Sequence, residues 1–121
     1  MAEVEIGIET TMEENVAVVA FMSPSMTDVD AITAASGRIK GFVEDNRPSR
    51  LIFDFEQVKF FSSQVLGLLL DIRARLEAYN GEVVISAIDP QLHRVFRITN
   101  LDKVFGFFPD RQSAINPAGT D

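Results

Sequence analysis

Leu51-Ile-Phe-Asp-Phe-Glu-Gln-Val-Lys-Phe-Phe-Ser-Ser-Gln-Val-Leu-Gly-Leu-Leu-Leu-Asp71 changes its hydrophobic period part-way along. Leu51 to Phe55 is a short apolar run of the kind that fills a buried strand. From Ser63 to about Tyr79 the apolar residues at 65, 66, 69, 70, 72 and 76 make a broad helical stripe suited to burial against a sheet. Ser62 and Ser63 stand where the strand should give way to the helix. A hydroxyl at a helix start lies beside backbone N–H groups that lack intrahelical partners, at the positive end of the dipole. Such a place can receive a phosphate without breaking the fold. A serine there is equally an ordinary helix N-cap contributing about 1 kcal/mol, and spacing alone leaves both roles open.

Working outward from this stretch, strands and helices alternate. Val4 to Ile8 reads as a half-buried strand with Val4, Ile6 and Ile8 on one face, and Val16 to Met22 as a more buried one. Glu13-Glu14-Asn15 turns between them, giving an antiparallel hairpin whose register Thr10 and Thr11 blur. Ser23-Pro-Ser-Met-Thr is a loop, with Thr27 the expected N-cap of a helix from Asp28 to Glu44. Its apolar side uses Val29, Ile32, Ile39, Phe42 and Val43, and Asp45-Asn-Arg-Pro ends it because the residue before Pro48 resists helical geometry.

Beyond the serine-led helix, Asn80-Gly81 supplies a left-handed stop. Glu82 to Ser86 is a strand, Asp89-Pro90 starts a helix running to about Thr99, and Val104 to Phe108 is the last strand. Asp110 caps a short final helix. Alternating elements of this kind imply right-handed crossovers and a largely parallel sheet. The expected architecture is a single α/β domain over residues 1–115, its sheet mixed because of the N-terminal hairpin, its helices mainly on one face, with a loose tail at 116–121.

Composition narrows the chemistry. The 121 residues, 46% of them apolar, suit one globular domain burying roughly two-thirds of its unfolded surface. There is no cysteine, which removes disulfides, thiolate metal sites and cysteine nucleophiles. A lone histidine, His93, rules out a multi-histidine metal site, and no motif near it supports a catalytic base. P-loop and G-x-S-x-G patterns are absent. No enzyme activity, metal or cofactor is expected. The net charge of −7 repels phosphate backbones, so nucleic acid is not an expected partner. No window is long enough for membrane insertion, and the N-terminus has no signal core, so the expected location is cytoplasmic.

Within the serine-led helix, Asp71 and Arg75 are spaced i, i+4 on the outer side for a supporting ion pair. Gly67 costs about 1 kcal/mol relative to alanine in a helix interior, so close packing or close approach of a partner should offset it. It lies one turn after Ser63 and leaves room beside that hydroxyl.

From Leu51 through Phe107 the chain resembles the STAS domain, shared by sulphate transporters and bacterial anti-sigma-factor antagonists. In that family a strand ending in Asp leads to a loop of the form Asp-Ser-Ser/Ala-Gly-Leu-Gly and then a long helix. Asp54 matches the strand-end Asp, Ser63 falls on the serine that a partner kinase phosphorylates, and Leu66-Gly67 on the following Leu-Gly. Gly81 to Phe96, then Asn100-Leu101, also resembles the family. Ser62 stands where antagonists carry Asp, and Gln64 and Val65 replace a small residue and a glycine.

The resemblance implies a regulatory protein-binding domain. Its partner would be an anti-sigma factor that is also a serine kinase and carries its own ATP. Phosphorylation of Ser63, with Ser62 the alternative acceptor, would switch binding off. Asp54, Phe60, Phe61, Ser62, Gln64, Leu66 and Gly67 are the expected switch-loop and partner-binding residues. Of the two phenylalanines, one should be buried and one exposed. Asp54 could instead simply accept N–H bonds in the next turn. The alternatives are a non-phosphorylated STAS scaffold subunit in a signalling or transporter complex, and a small-molecule or nucleotide-binding module. His93, Arg94 and Arg97 should lie outward on their helix, either as a solvated face or as a small positive patch for an acidic partner.

Overall fold

The computed structural model describes residues 5–117. The chain runs β1 (Ile8–Glu13), β2 (Val16–Phe21), β3 (Ser25–Met26), α1 (Val29–Asn46), β4 (Arg50–Asp54), β5 (Phe60–Phe61) and α2 (Ser63–Glu77). It continues with β6 (Glu82–Ser86), α3 (Pro90–Ile98), a 3-10 turn at Leu101–Lys103, β7 (Gly106–Phe108) and α4 (Arg111–Ile115). The main sheet has the order β1-β2-β4-β6-β7, with β1 antiparallel to β2 and the other pairs parallel.

Strands β2, β4 and β6 are covered on both faces, which is why they read as continuous apolar runs. Alternation sends Val19, Phe53 and Ile85, which lie side by side in register, toward the layer of α1, α2 and α3. Their neighbours Val18, Ile52 and Val84 face the other way and pack on Ala114 of α4. Among the described residues, three helices therefore share one face and α4 alone takes the other. Phenylalanines link the layers. Phe21 stacks on Phe53 and meets Phe55 edge-on, Phe55 meets Phe61, and Phe61 meets Phe96 of α3.

Several expected boundaries move. The first hairpin strand is Ile8–Glu13, later than the 4–8 expected, and Val4 lies outside the described residues. The cause is the turn. Glu14 takes a left-handed conformation (φ 57°), pairing Glu13 with Val16 and pulling Thr10, Thr11 and Met12 into the ladder. Helix α1 is capped by Asp28, not Thr27: the Asp28 carboxylate accepts from the Ala31 N–H at 2.8 Å. The helix runs to Asn46, where Arg47 closes it in the left-handed region (φ 41°), its N–H donating to the Val43 carbonyl at 2.7 Å. With this phase Val29 points outward and is exposed, while Ala31 and Ala35 are buried.

Helix α2 ends at Glu77 and α3 at Ile98, slightly short of expectation. Asn80 supplies the left-handed residue (φ 69°) after α2. Gly81 serves packing instead, since a Cβ there would come within 3.1 Å of the Tyr79 ring and 3.2 Å of Leu76. Strand β7 begins only at Gly106, because 101–103 form the 3-10 turn. Asp110 caps α4 as expected, accepting from the Ser113 N–H at 2.8 Å, and this bond holds its carboxyl below the ordinary carboxylate range. Of the expected loose tail, 118–121 lie outside the described residues.

Candidate functional site at the start of α2

The loop before α2 is held by a two-stranded parallel ladder that the sequence does not advertise. Ser25 pairs with Phe60 and Met26 with Phe61. The Pro24 carbonyl accepts from the Lys59 and Phe60 N–H groups at 2.8 and 3.0 Å, and the Met26 carbonyl from the Ser62 N–H at 3.0 Å. Phe61 turns into the core between Phe55 and Phe96, while Phe60 is 59% exposed. One phenylalanine is thus in and one out, and the inner one anchors the chain just ahead of the serines.

The two serines differ sharply. Ser62 has the extended backbone of an N-cap (φ −87°, ψ 165°), and its carbonyl accepts from the Val65 N–H at 3.0 Å. Its side chain makes no capping bond. Its Oγ is buried and has no hydrogen-bond partner among the described residues. Ser63 is the first residue of α2 and is exposed. Among the described residues no protein group accepts from the N–H groups of Ser63 or Gln64, so two orphan donors of a 15-residue helix sit beside the accessible hydroxyl.

Gln64 reaches across to α1, its Nε2 lying 3.4 Å from both the Val29 carbonyl and Thr33 Oγ1. Leu66 is buried and Gly67 is exposed. Gly67 opens onto a groove of about 440 Å³ between α1 and α2, lined in part by Thr33, Gly37, Lys40, Gln64 and Asp71. The expected Asp71–Arg75 pair does not form. Lys40 of α1 holds Asp71 at 2.7 Å, and Glu44 of α1 lies 3.4 Å from Arg75, because the adjacent helix brings partners that an isolated one would lack. A Cβ at Gly67 would meet nothing within 4 Å. Close packing within the chain is therefore not why glycine is there. Gly67→Ala should raise stability by about 1 kcal/mol, seen as a higher urea midpoint at unchanged slope. A loss of stability would contradict the open geometry.

Asp54 accepts an N–H bond in the next turn, the alternative role expected for it, and its carboxylate lies on the α4 side of the sheet. It shares the Ile52 side of β4 and faces α4. Its Oδ2 accepts from Arg111 Nε at 3.0 Å and Nη2 at 2.6 Å, and its Oδ1 from the Glu56 N–H at 3.2 Å and the Ser86 hydroxyl at 3.3 Å. The carboxylate is buried and fully engaged in structure. Sequence reasoning missed Val29. Its exposed side chain projects at the start of α1, where Gln64 ties α1 to the first turn of α2. Its angle on the helical wheel, off the centre of the stripe made by Ala31, Ile32, Ala35, Ile39 and Val43, is the signal that could have found it.

Residues 8–114 match the STAS domain. The chain belongs to the STAS family. An anti-sigma factor antagonist from Mycobacterium paratuberculosis superposes with a TM-score of 0.80 at 26% identity, covering 93% of each chain. The Bacillus cell fate determinant SpoIIAA in its phosphorylated form, 21% identical, gives a TM-score of 0.71 over 92% of this chain and 98% of that one. The murine anion transporter Solute Carrier 26 family member A9, 15% identical, shares the fold at a TM-score of 0.72 over 88% of this chain but 18% of its own length. This STAS fold therefore occurs both alone and within much longer chains. Among the described residues, no helix is long and apolar enough to cross a membrane.

Proposed function

We propose that this STAS domain is an anti-sigma-factor antagonist of the cytoplasm, switched by phosphate at Ser63. Unphosphorylated, it binds an anti-sigma factor that is also a serine kinase, and so frees a sigma factor. The carrying observation is the contrast between the serines: Ser63 is an exposed residue at the first position of a helix, whereas the Ser62 hydroxyl is buried. Phe60, Val29, Gln64 and the open Gly67 then form the ground a partner would cover around it. A phosphate on Ser63 adds about −1.5 to −2 charges and three acceptor oxygens, which the helix tolerates and a docked partner does not.

The test is intact mass after incubation with the anti-sigma kinase and ATP. One phosphate should appear on the wild type and on Ser62→Ala, and none on Ser63→Ala. Labelling that survives Ser63→Ala and vanishes in Ser62→Ala would move the acceptor to the buried hydroxyl and refute this assignment. A second reading, a STAS scaffold subunit that is never phosphorylated, draws on Ser62, which puts a neutral hydroxyl where antagonists carry Asp. It requires that no phosphate appear while the unmodified chain still binds its partner.

A further inference from the structure

Helix α3 carries a second surface that the switch does not use. Leu92 and Phe96 bury one side of it, and the His93 ring is occupied by Phe107, with centroids 4.4 Å apart. Arg94, Arg97 and Ile98 share the opposite side at i, i+3 and i+4. All three are exposed, and Ile98, at 73%, is the most exposed of the large apolar side chains among the described residues. Lys103 follows in the 3-10 turn after α3, next to Asp102.

The charge on this side runs against the rest of the protein. Acidic residues outnumber basic ones 18 to 11, yet the stretch from Pro90 through Leu101, between Asp89 and Asp102, contains no carboxylate. Most cations elsewhere are engaged: Lys40, Arg50, Arg73, Arg75 and Arg111 each hold a carboxylate within 3.4 Å, while Lys59, exposed in the loop before β5, stands apart from the α3 cluster. Arg38 donates to the Ile6 carbonyl and Arg47 lies over the Tyr79 ring. Among the described residues, Arg94, Arg97 and Lys103 hold no carboxylate within 4.0 Å. The helix dipole explains Arg97 in the last turn. It explains neither Arg94 nor an isoleucine left in water beside two arginines.

We propose that this face of α3 docks an acidic segment of a partner protein, with Ile98 as the apolar anchor and Arg94, Arg97 and Lys103 pairing with carboxylates around it. Charge favours a peptide segment over an anionic membrane. A flat bilayer would meet the field of a −7 protein, whereas a segment feels the patch alone within a screening length of about 8 Å. None of these residues belongs to the serine loop, so this surface and the Ser63 switch fail or stand separately.

The test uses the full ¹⁵N-labelled chain titrated with a synthetic peptide of alternating Glu and Leu. Amide shifts should concentrate on 94–103. Arg94→Glu with Arg97→Glu should weaken binding about tenfold or more, in line with the loss of two close charge pairs. Ile98→Ser, a surface change that leaves the core intact, should weaken it about threefold or more, as loss of an apolar anchor would. Absent shifts, shifts centred elsewhere, or affinity indifferent to either variant would overturn the proposal. So would co-sedimentation with phosphatidylserine vesicles through this face, or concentration-dependent broadening of the same resonances without peptide, which would assign it to a membrane or to a second copy.

Discussion

Ser63→Asp should lower affinity for the proposed anti-sigma partner by about a hundredfold or more, a loss of roughly 2.7 kcal/mol, while leaving the domain as stable as before or slightly more so. The two effects have opposite signs for one reason. In the free protein, the new carboxylate lies at the first position of a long helix, beside the unaccepted N–H groups of Ser63 and Gln64. A negative charge there is favourable by about 0.3–1 kcal/mol. In the complex, the same charge is covered. A partner seated over Phe60, Val29 and Gly67 strips its water and supplies apolar surface in return. Titration calorimetry and urea unfolding read the two quantities independently, with Ser63→Ala as the control that keeps full affinity. Unchanged affinity for Ser63→Asp would remove the physical basis of the switch. Weaker binding with an equal loss of stability would make Ser63 a structural residue instead.

The features legible from sequence were those fixed by neighbours a few residues away. The Glu82–Ser86 strand, the Asp89-Pro90 helix start and the Asp110 cap follow from local chemistry, and the structure places all three as expected. The serine-led helix was legible because its stripe is long and its strand-to-helix handover is abrupt. Features set by distant partners were not legible. The β3–β5 ladder is two residues long on each side and has no period to detect, yet it positions Ser62. The cross-helix pairs Lys40–Asp71 and Arg75–Glu44 replace the local pair that spacing suggests. The β1 strand keeps polar residues because it is an edge, so alternation pointed to the wrong segment. For the site, register selected Ser63, but only burial of the Ser62 hydroxyl separates the two serines physically. Asp54 matched its family position, and nothing near it in sequence showed that Arg111, 57 residues on, would claim it.

That claim yields the second large effect, which is on stability. Arg111→Ala should cost about 2 kcal/mol, below the 3–5 kcal/mol for breaking a fully buried pair, because the Arg111 side chain is 43% exposed while that of Asp54 is 4% exposed. The arginine can be replaced by water only in part, and Asp54 would be left with the Ser86 hydroxyl and the Glu56 N–H against a buried charge. Asp54→Asn should cost less. It removes the charge that needs Arg111, keeps an acceptor for Glu56, and releases an arginine that can reach solvent. The double variant should therefore be more stable than the sum of the singles implies, by about 1 kcal/mol, measured as a cycle of urea midpoints. Partner affinity should stay within about twofold in Asp54→Asn, since sites that share no partners act independently and this carboxylate faces α4 across the sheet from α2. If Asp54→Asn instead cut affinity tenfold at unchanged stability, Asp54 would serve the serine loop after all, and the Arg111 pair would be incidental. The geometry argues against that outcome, because each oxygen of the carboxylate already accepts two hydrogen bonds from groups with no contact to Ser63.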